Sequence, residues 1–188
     1  MLESKSRLTT GDCLIAPPRM QDSRFTKSVI MLTNFKNDAA FGLCLNKLSS
    51  HTVADLSPEI DCELPHDIPL YWGGPVSPQT IWMLHDTDWQ VDASVQINKH
   101  WAMTSHLSMF HHLADGDRPR HYLMTFGFCG WSQGQLDGEL EGRAPWTVES
   151  SWLTWRGPDS HVLEVDSSEL WRVATEQSAH QAVAHWMT

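Results

Sequence analysis

The residues whose types and spacing could do chemistry fall in Tyr122–Trp146, YLMTFGFCGWSQGQLDGELEGRAPW. An apolar run of strand type, Tyr122 to Phe126, leads into Gly127-Phe128-Cys129-Gly130 and then Trp131. Ser132-Gln133-Gly134-Gln135 fits a capping box, with the serine hydroxyl accepting from the N–H of Gln135 and the glutamine amide reaching back. Leu136, Glu139 and Leu140 continue a short helix that Gly142 and Pro145 stop. A strand, a glycine corner and a helix opening its free N–H groups there allow two chemistries. In the first, Cys129 is the nucleophile of a hydrolase or transferase, His85 its base, and Glu139 or Asp86 the orienting carboxylate. In the second, the corner is a non-catalytic site for a small polar ligand. Asn46 and Gln135 then supply oriented amides, His85 a ring nitrogen and Trp131 a flat wall. Gly73, Gly74, Gly127 and Gly130 let bare backbone come close. The binding reading is preferred, because Trp131 stands where a nucleophile elbow has its last glycine and a buried structural cysteine is common. A plainer reading makes the glycines turn residues and the amides partners of buried backbone.

Metal and redox chemistry find little support. His111 and His112 are adjacent, and His106/His111 and His180/His185 are five apart, so neither spacing aligns two ligands on a helix. Cys13, Cys44, Cys62 and Cys129 form no CxxC pair, which argues against a cysteine-type zinc site and points to a reducing cytosol. No cofactor is expected. Residues 1–12, MLESKSRLTTGD, hold no apolar core for a signal peptide. No run approaches the roughly 18 apolar residues of a membrane span. A cytoplasmic protein without a membrane contact is the expectation.

The formal net charge of −10 argues against direct nucleic-acid binding, which needs basic surface. Residues 1–36 run the other way, with six Lys/Arg against three Asp/Glu. Arg19, Arg24 and Lys27 could form a small basic patch there; a solvated face is the simpler reading. Ten tryptophans are many for 188 residues. Trp152 and Trp155 are candidates for an exposed partner site, against the simpler reading of core and sheet packing.

The elements that must position these residues are short. Cys13–Ala16 reads as a strand ended by Pro17-Pro18. Ser28–Phe35 and Phe41–Asn46 read as two strands around a hairpin loop at residues 36–40, the first apolar enough at Val29–Leu32 to be covered on both faces. Thr52 caps a short helix through Leu56. Thr80–His85 and Val95–Met103 read as strands, and Thr104 or Ser105 caps a helix carrying Leu107, Phe110 and Leu113. Trp146–Glu149, Trp152–Trp155 and His161–Val165 read as further strands. Asp166 with Glu169 opens a terminal helix through Trp186. With no repeat or linker, the chain reads as one domain over residues 1–188. Its class is α+β: a two-layer sandwich, mainly antiparallel or mixed sheet, with three to four helices on one face.

Several of these pieces occur in a familiar order. They are Gly11-Asp12-Cys13-Leu14-Ile15-Ala16-Pro17, Asp22-Ser23-Arg24-Phe25, Phe41-Gly42-Leu43-Cys44-Leu45-Asn46, Trp72-Gly73-Gly74-Pro75-Val76, Met83-Leu84-His85, Gly127-Phe128-Cys129-Gly130-Trp131 and Gly134-Gln135-Leu136-Asp137-Gly138-Glu139-Leu140. In this order the chain resembles the bacterial AlgH/YqgE family from about residue 8 to beyond 150. The resemblance implies a single two-layer domain in the bacterial cytosol. It implies no reaction; some members are described as transcriptional regulators. An indirect role in gene regulation, through an unidentified protein partner or a small polar ligand, is the corresponding expectation.

Overall fold

Ten strands and four α-helices form within residues 7–147 and 151–187, the part of the chain that the computed structural model describes. The strands are β1 (Cys13–Ile15), β2 (Val29–Lys36), β3 (Ala39–Cys44), β4 (Leu48–Thr52), β5 (Pro69–Trp72), β6 (Val76–Asp86), β7 (Val95–Gln96), β8 (Trp101–Thr104), β9 (Tyr122–Trp131) and β10 (Leu153–Trp155). The helices are α1 (Ser57–Ile60), α2 (Ser108–Ala114), α3 (Gln135–Glu141) and α4 (Leu170–Trp186). Eight strands follow the order β10-β1-β2-β3-β9-β6-β8-β7, antiparallel throughout and strongly curled into a half-barrel. β5 branches from this path, running parallel to β9 and pairing with β4. The class is α+β. The β2–β3 hairpin turns at Asn37 and Asp38, with φ of 51° and 61°, the left-handed pair of a two-residue turn that matches strand twist.

The helices divide between the two faces of the sheet, which corrects the one-sided sandwich. Successive strand residues point to opposite faces. Cys13 and Ile15 of β1, with Val29 and Met31 of β2, join the core that Leu170 and Ala174 of α4 cover. Leu14, Ile30 and Leu32 point the other way and pack with Leu136 of α3. Farther along that second face, Met83 and Met124 pack under Met109, Phe110 and Leu113 of α2. The reason lies in composition: β1 and the first half of β2 are apolar at every position and buried at every position. A sheet of that kind must be covered twice.

The central stretch also departs from expectation. The strand does not stop at Phe126 but continues to Trp131, where Ala40–Gly42 pair with Trp131–Cys129. Along the same edge, β5 pairs with Met124–Phe126. β3 and β5 therefore share one edge of β9 and meet at a fork filled by Gly73, Gly74 and Gly127. The Gly73 N–H donates to the Phe126 carbonyl at 2.8 Å, and the Gly73 carbonyl accepts from Cys44 N–H at 2.9 Å. Gly127 takes φ +70°, and a Cβ there would stand 2.2 Å from the Gly74 carbonyl oxygen. Backbone passes backbone too closely for any side chain, and the positive φ kinks β9 without ending it.

Smaller differences follow from turns. The Val95–Met103 segment breaks into β7 and β8, because the Asn98 carboxamide oxygen accepts from the N–H groups of His100 and Trp101 and folds the chain back. His161–Val165 is not a strand: residues Ser160–Leu163 form a 3-10 turn capped by Asp159, which accepts from His161 N–H at 3.0 Å. The Trp146–Glu149 strand runs into residues outside the described ones.

The fork sets a stability test. Gly116 has φ +79° with nothing within 4 Å of an added Cβ, so Gly116→Ala should cost about 1 kcal/mol for the left-handed conformation alone. Gly127→Ala adds a backbone collision and should cost on the order of 3 kcal/mol or more. Urea unfolding midpoints measure both, and equal losses would contradict the close-approach account.

Candidate functional site

Two tryptophans buried in the α3-side core must place their indole N–H groups somewhere. Trp131 ends β9 and Trp152 immediately precedes β10. Both donate to the same atom, Glu139 Oε2, at 3.0 and 2.7 Å. Gln135, one turn earlier on α3, donates its amide to Glu139 Oε1 at 2.9 Å, the i,i+4 neighbour relation of a helix. The Gln135 carboxamide oxygen in turn accepts from Ser132 N–H and Oγ at 3.0 and 3.2 Å. The capping box thus forms in half: the glutamine reaches back, but the serine hydroxyl donates to it and does not accept from the helix. Glu139 is only 9% exposed. The three donors that hold its carboxylate are neutral and bring it no opposite charge.

In front of that carboxylate lies a cavity of about 400 Å³. Its aromatic lining comes from Phe25, Trp131, Trp146 and Trp152. Trp146 reaches the cavity because Gly138 has no side chain; an added Cβ would meet the Trp146 ring at 3.3 Å. Trp131 and Trp152 stand edge to face, with centroids 6.3 Å apart and an angle of 82°. Phe25 closes on Trp152 at 5.9 Å and on Trp72 at 5.7 Å. These edge and tilted contacts are the favoured arrangements of aromatic rings. Phe25 sits in a single 3-10 turn, Ser23–Phe25, capped by Asp22 accepting from Arg24 N–H at 3.0 Å. The Arg24 guanidinium folds back onto both Asp22 oxygens, Nε–Oδ1 at 3.0 Å and Nη2–Oδ2 at 2.6 Å. That bond holds the Asp22 carboxyl below its ordinary pKa.

The structure brings part of the anticipated set together. Gly130, Trp131 and Gln135 line the cavity, as do Cys129 and Glu139. Gly73, Gly74 and Gly127 lie in the fork, occupied by backbone contacts. Asn46 serves the backbone: it accepts from Val29 N–H at 2.9 Å and donates to the Lys27 carbonyl at 2.8 Å. It borders a separate cavity of about 420 Å³ with Lys27 and Lys47. Arg24 lies at the first cavity and Lys27 at this second one, over the Trp171 ring. His85 is elsewhere. It pairs with Tyr122 across the sheet, seven residues along β9 from Cys129, or roughly 20 Å at strand rise. Its Nδ1 donates to the Asp86 carbonyl at 2.7 Å, its Nε2 meets Ser94 Oγ at 3.3 Å, and burial lowers its pKa.

The cysteine dyad is therefore corrected. Among the described residues lining the cavity at Cys129 none is a histidine, and Glu139 is engaged by indoles. The thiol also lies within β9 and not at a helix N-terminus. It is 1% exposed and donates to the Gly73 carbonyl at 3.3 Å. Burial, together with nearby Cys44, pushes its pKa well above the ordinary value. Cys44 is itself pushed up to about 11 by burial. Among the described residues no group of three His, Cys, Asp or Glu side chains is set to hold a metal.

The sequence did not point to Asp22, Arg24, Phe25 and Trp146 as cavity residues; for Trp152 the simpler expectation of core packing holds, and the exposed partner site does not. Trp152 is 8% exposed. The Asp22 turn signal was visible; its proximity to residues more than a hundred positions away was not.

The same chain matches an established family. The AlgH-like family model (DUF179) spans residues 13–182, and the chain belongs to that family. Two similar relatives are UPF0301 proteins. That of Sphingopyxis alaskensis is 30% identical over 92% of this chain and 90% of its own length. VP2612 of Vibrio parahaemolyticus is 31% identical over 89% and 90%. The solution structure of the AlgH protein from Pseudomonas aeruginosa superposes with a TM-score of 0.66 and 26% identity, covering 98% of this chain and 92% of that one. Protein DIP2367 of Corynebacterium diphtheriae shares the fold, with a TM-score of 0.69 at 23% identity over 89% and 86%. No helix among the described residues is long and apolar enough to cross a membrane.

A chemical test separates a packed cysteine from a reactive one. Iodoacetamide at pH 8 should modify the partly exposed Cys62 in the native protein and leave Cys13, Cys44 and Cys129 intact until denaturant is added. Mass spectrometry of the peptides reads the result; fast native alkylation of Cys129 would revive the nucleophile.

Proposed function

We propose that this AlgH-like protein is a cytoplasmic, non-catalytic module that binds a small polar ligand in the cavity between the Asp22–Phe25 turn, the end of β9 and α3. One observation carries the reading. A carboxylate stripped of most of its water, Glu139, faces an open cavity, held there by two indoles and an amide. Burying a carboxylate is costly and is ordinarily repaid by a cation; here the donors are neutral. An aromatic-lined cleft with a few convergent polar groups has the make-up of a small-molecule site, and its volume lies within the usual range of roughly 300–1,000 Å³. A protein partner would want a broader surface.

Any influence on gene expression would be indirect. The net charge of −10 opposes a phosphate backbone, and the Arg24 guanidinium is taken by Asp22. Catalysis by Cys129 lacks a base and a thiolate, so the ligand is bound rather than transformed.

Indole-labelled protein gives the test. Screening a small-molecule fragment library by nitrogen–proton NMR should produce members that shift the Trp131 and Trp152 indole signals together. Cys129→Ala should retain those shifts. If no fragment moves the two signals, the site reading fails. If Cys129→Ala abolishes binding, or a fragment is turned over by the native protein alone, the nucleophile reading replaces it.

A further inference from the structure

The charge and hydrogen-bonding state of the cavity wall define the class of ligand more narrowly. Of the described residues lining it, only Asp22, Arg24 and Glu139 carry charge. Asp22 and Arg24 neutralise one another through a two-point contact. Glu139 is left as an uncompensated negative charge, and its acceptor capacity is not exhausted. A carboxylate offers roughly four lone-pair positions. Two on Oε2 are filled by Trp131 and Trp152, and one on Oε1 by Gln135. Among the described residues nothing fills the second acceptor position on Oε1. Around it, Phe25, Trp131, Trp146 and Trp152 supply ring surface whose quadrupole attracts positive charge.

From this arrangement we propose that the cavity takes an organic cation bearing N–H donors, a primary ammonium or a guanidinium on an apolar body. The inference rests on the cavity being a ligand site. The cationic head donates to Glu139 Oε1 and lies among the aromatic rings, while the apolar body replaces water against Met20, Phe25 and Pro145. An anion would meet the Glu139 charge without a free cation to balance it. A neutral ligand would leave that charge unanswered. The net charge of the whole chain, −10, further raises the local concentration of cations.

Three matched probes decide between ligand class and site. Benzylammonium, benzyl alcohol and benzoate share one ring and differ in charge. Titrated into indole-labelled native protein, benzylammonium should shift the Trp131 and Trp152 indole signals and bind at least about tenfold more tightly than benzyl alcohol. Benzoate should not shift them. Glu139→Gln removes the charge and should erase that tenfold preference. Arg24→Ala, at an exposed position, unmasks the Asp22 carboxylate and should tighten benzylammonium binding about threefold. It decides the matter alone if Glu139→Gln does not fold.

The alternatives separate cleanly. Equal shifts with benzyl alcohol, or a preference for benzoate, would keep the cavity as a site and overturn the cation. An unchanged or weakened affinity in Arg24→Ala would do the same. If none of the three probes moves either indole at millimolar concentration, both the cation inference and the site beneath it fall.

Discussion

A single carboxylate, Glu139, holds together three parts of the chain that the backbone leaves apart. Its Oε2 accepts an indole N–H from Trp131 at the end of β9 and another from Trp152 at the approach to β10. Its own place on α3 is fixed by Gln135 one turn earlier. Two indole donors buried without an acceptor would each forfeit about 1–3 kcal/mol, so α3 cannot leave the sheet without stranding both. The same clamp sets Trp131 and Trp152 edge to face and leaves the space before them unfilled. The cavity is thus a consequence of how buried indoles are satisfied.

The clamp can form because β9 runs on past the point where its glycines suggest a turn. At the fork, β3 and β5 divide one edge of β9 between them, and Gly73, Gly74 and Gly127 let three backbones meet. Beyond the fork, Cys129 and Trp131 point to the α3 side and join Leu14, Ile30 and Cys44 there. Phe128 points to the opposite core, against Phe41 and Trp82. One strand thereby contributes to both covered faces and carries a site residue at its end. Cys129 owes its burial to the same geometry.

Much of this was legible from local pattern. The β2–β3 hairpin, the all-buried start of β2, the Thr52–Asp55 cap and the stop of α3 at Gly142 each follow from neighbouring residues. The misreadings share one physical cause. Gly127 and Gly130 look like a corner when only neighbours are considered; the tight passage of Gly74, more than fifty residues away, makes Gly127 a kink instead. His85 and Glu139 look like a base and its orienter by type, yet sheet register puts His85 opposite Tyr122. Trp152 and Phe25 join the cavity through contacts that no period in the sequence encodes. Gly138 lies inside α3 where Trp146 needs room, a contact that its neighbours in sequence do not signal.

The most direct test of this account is the unfolding free energy of Glu139→Ala, measured by urea titration alongside the indole nitrogen–proton spectrum. The clamp predicts a loss on the order of 3 kcal/mol, with the Trp131 and Trp152 indole signals moving together toward the positions of water-exposed tryptophan. A loss below about 0.5 kcal/mol, the size of an ordinary surface change, with either indole signal left in place, would contradict it.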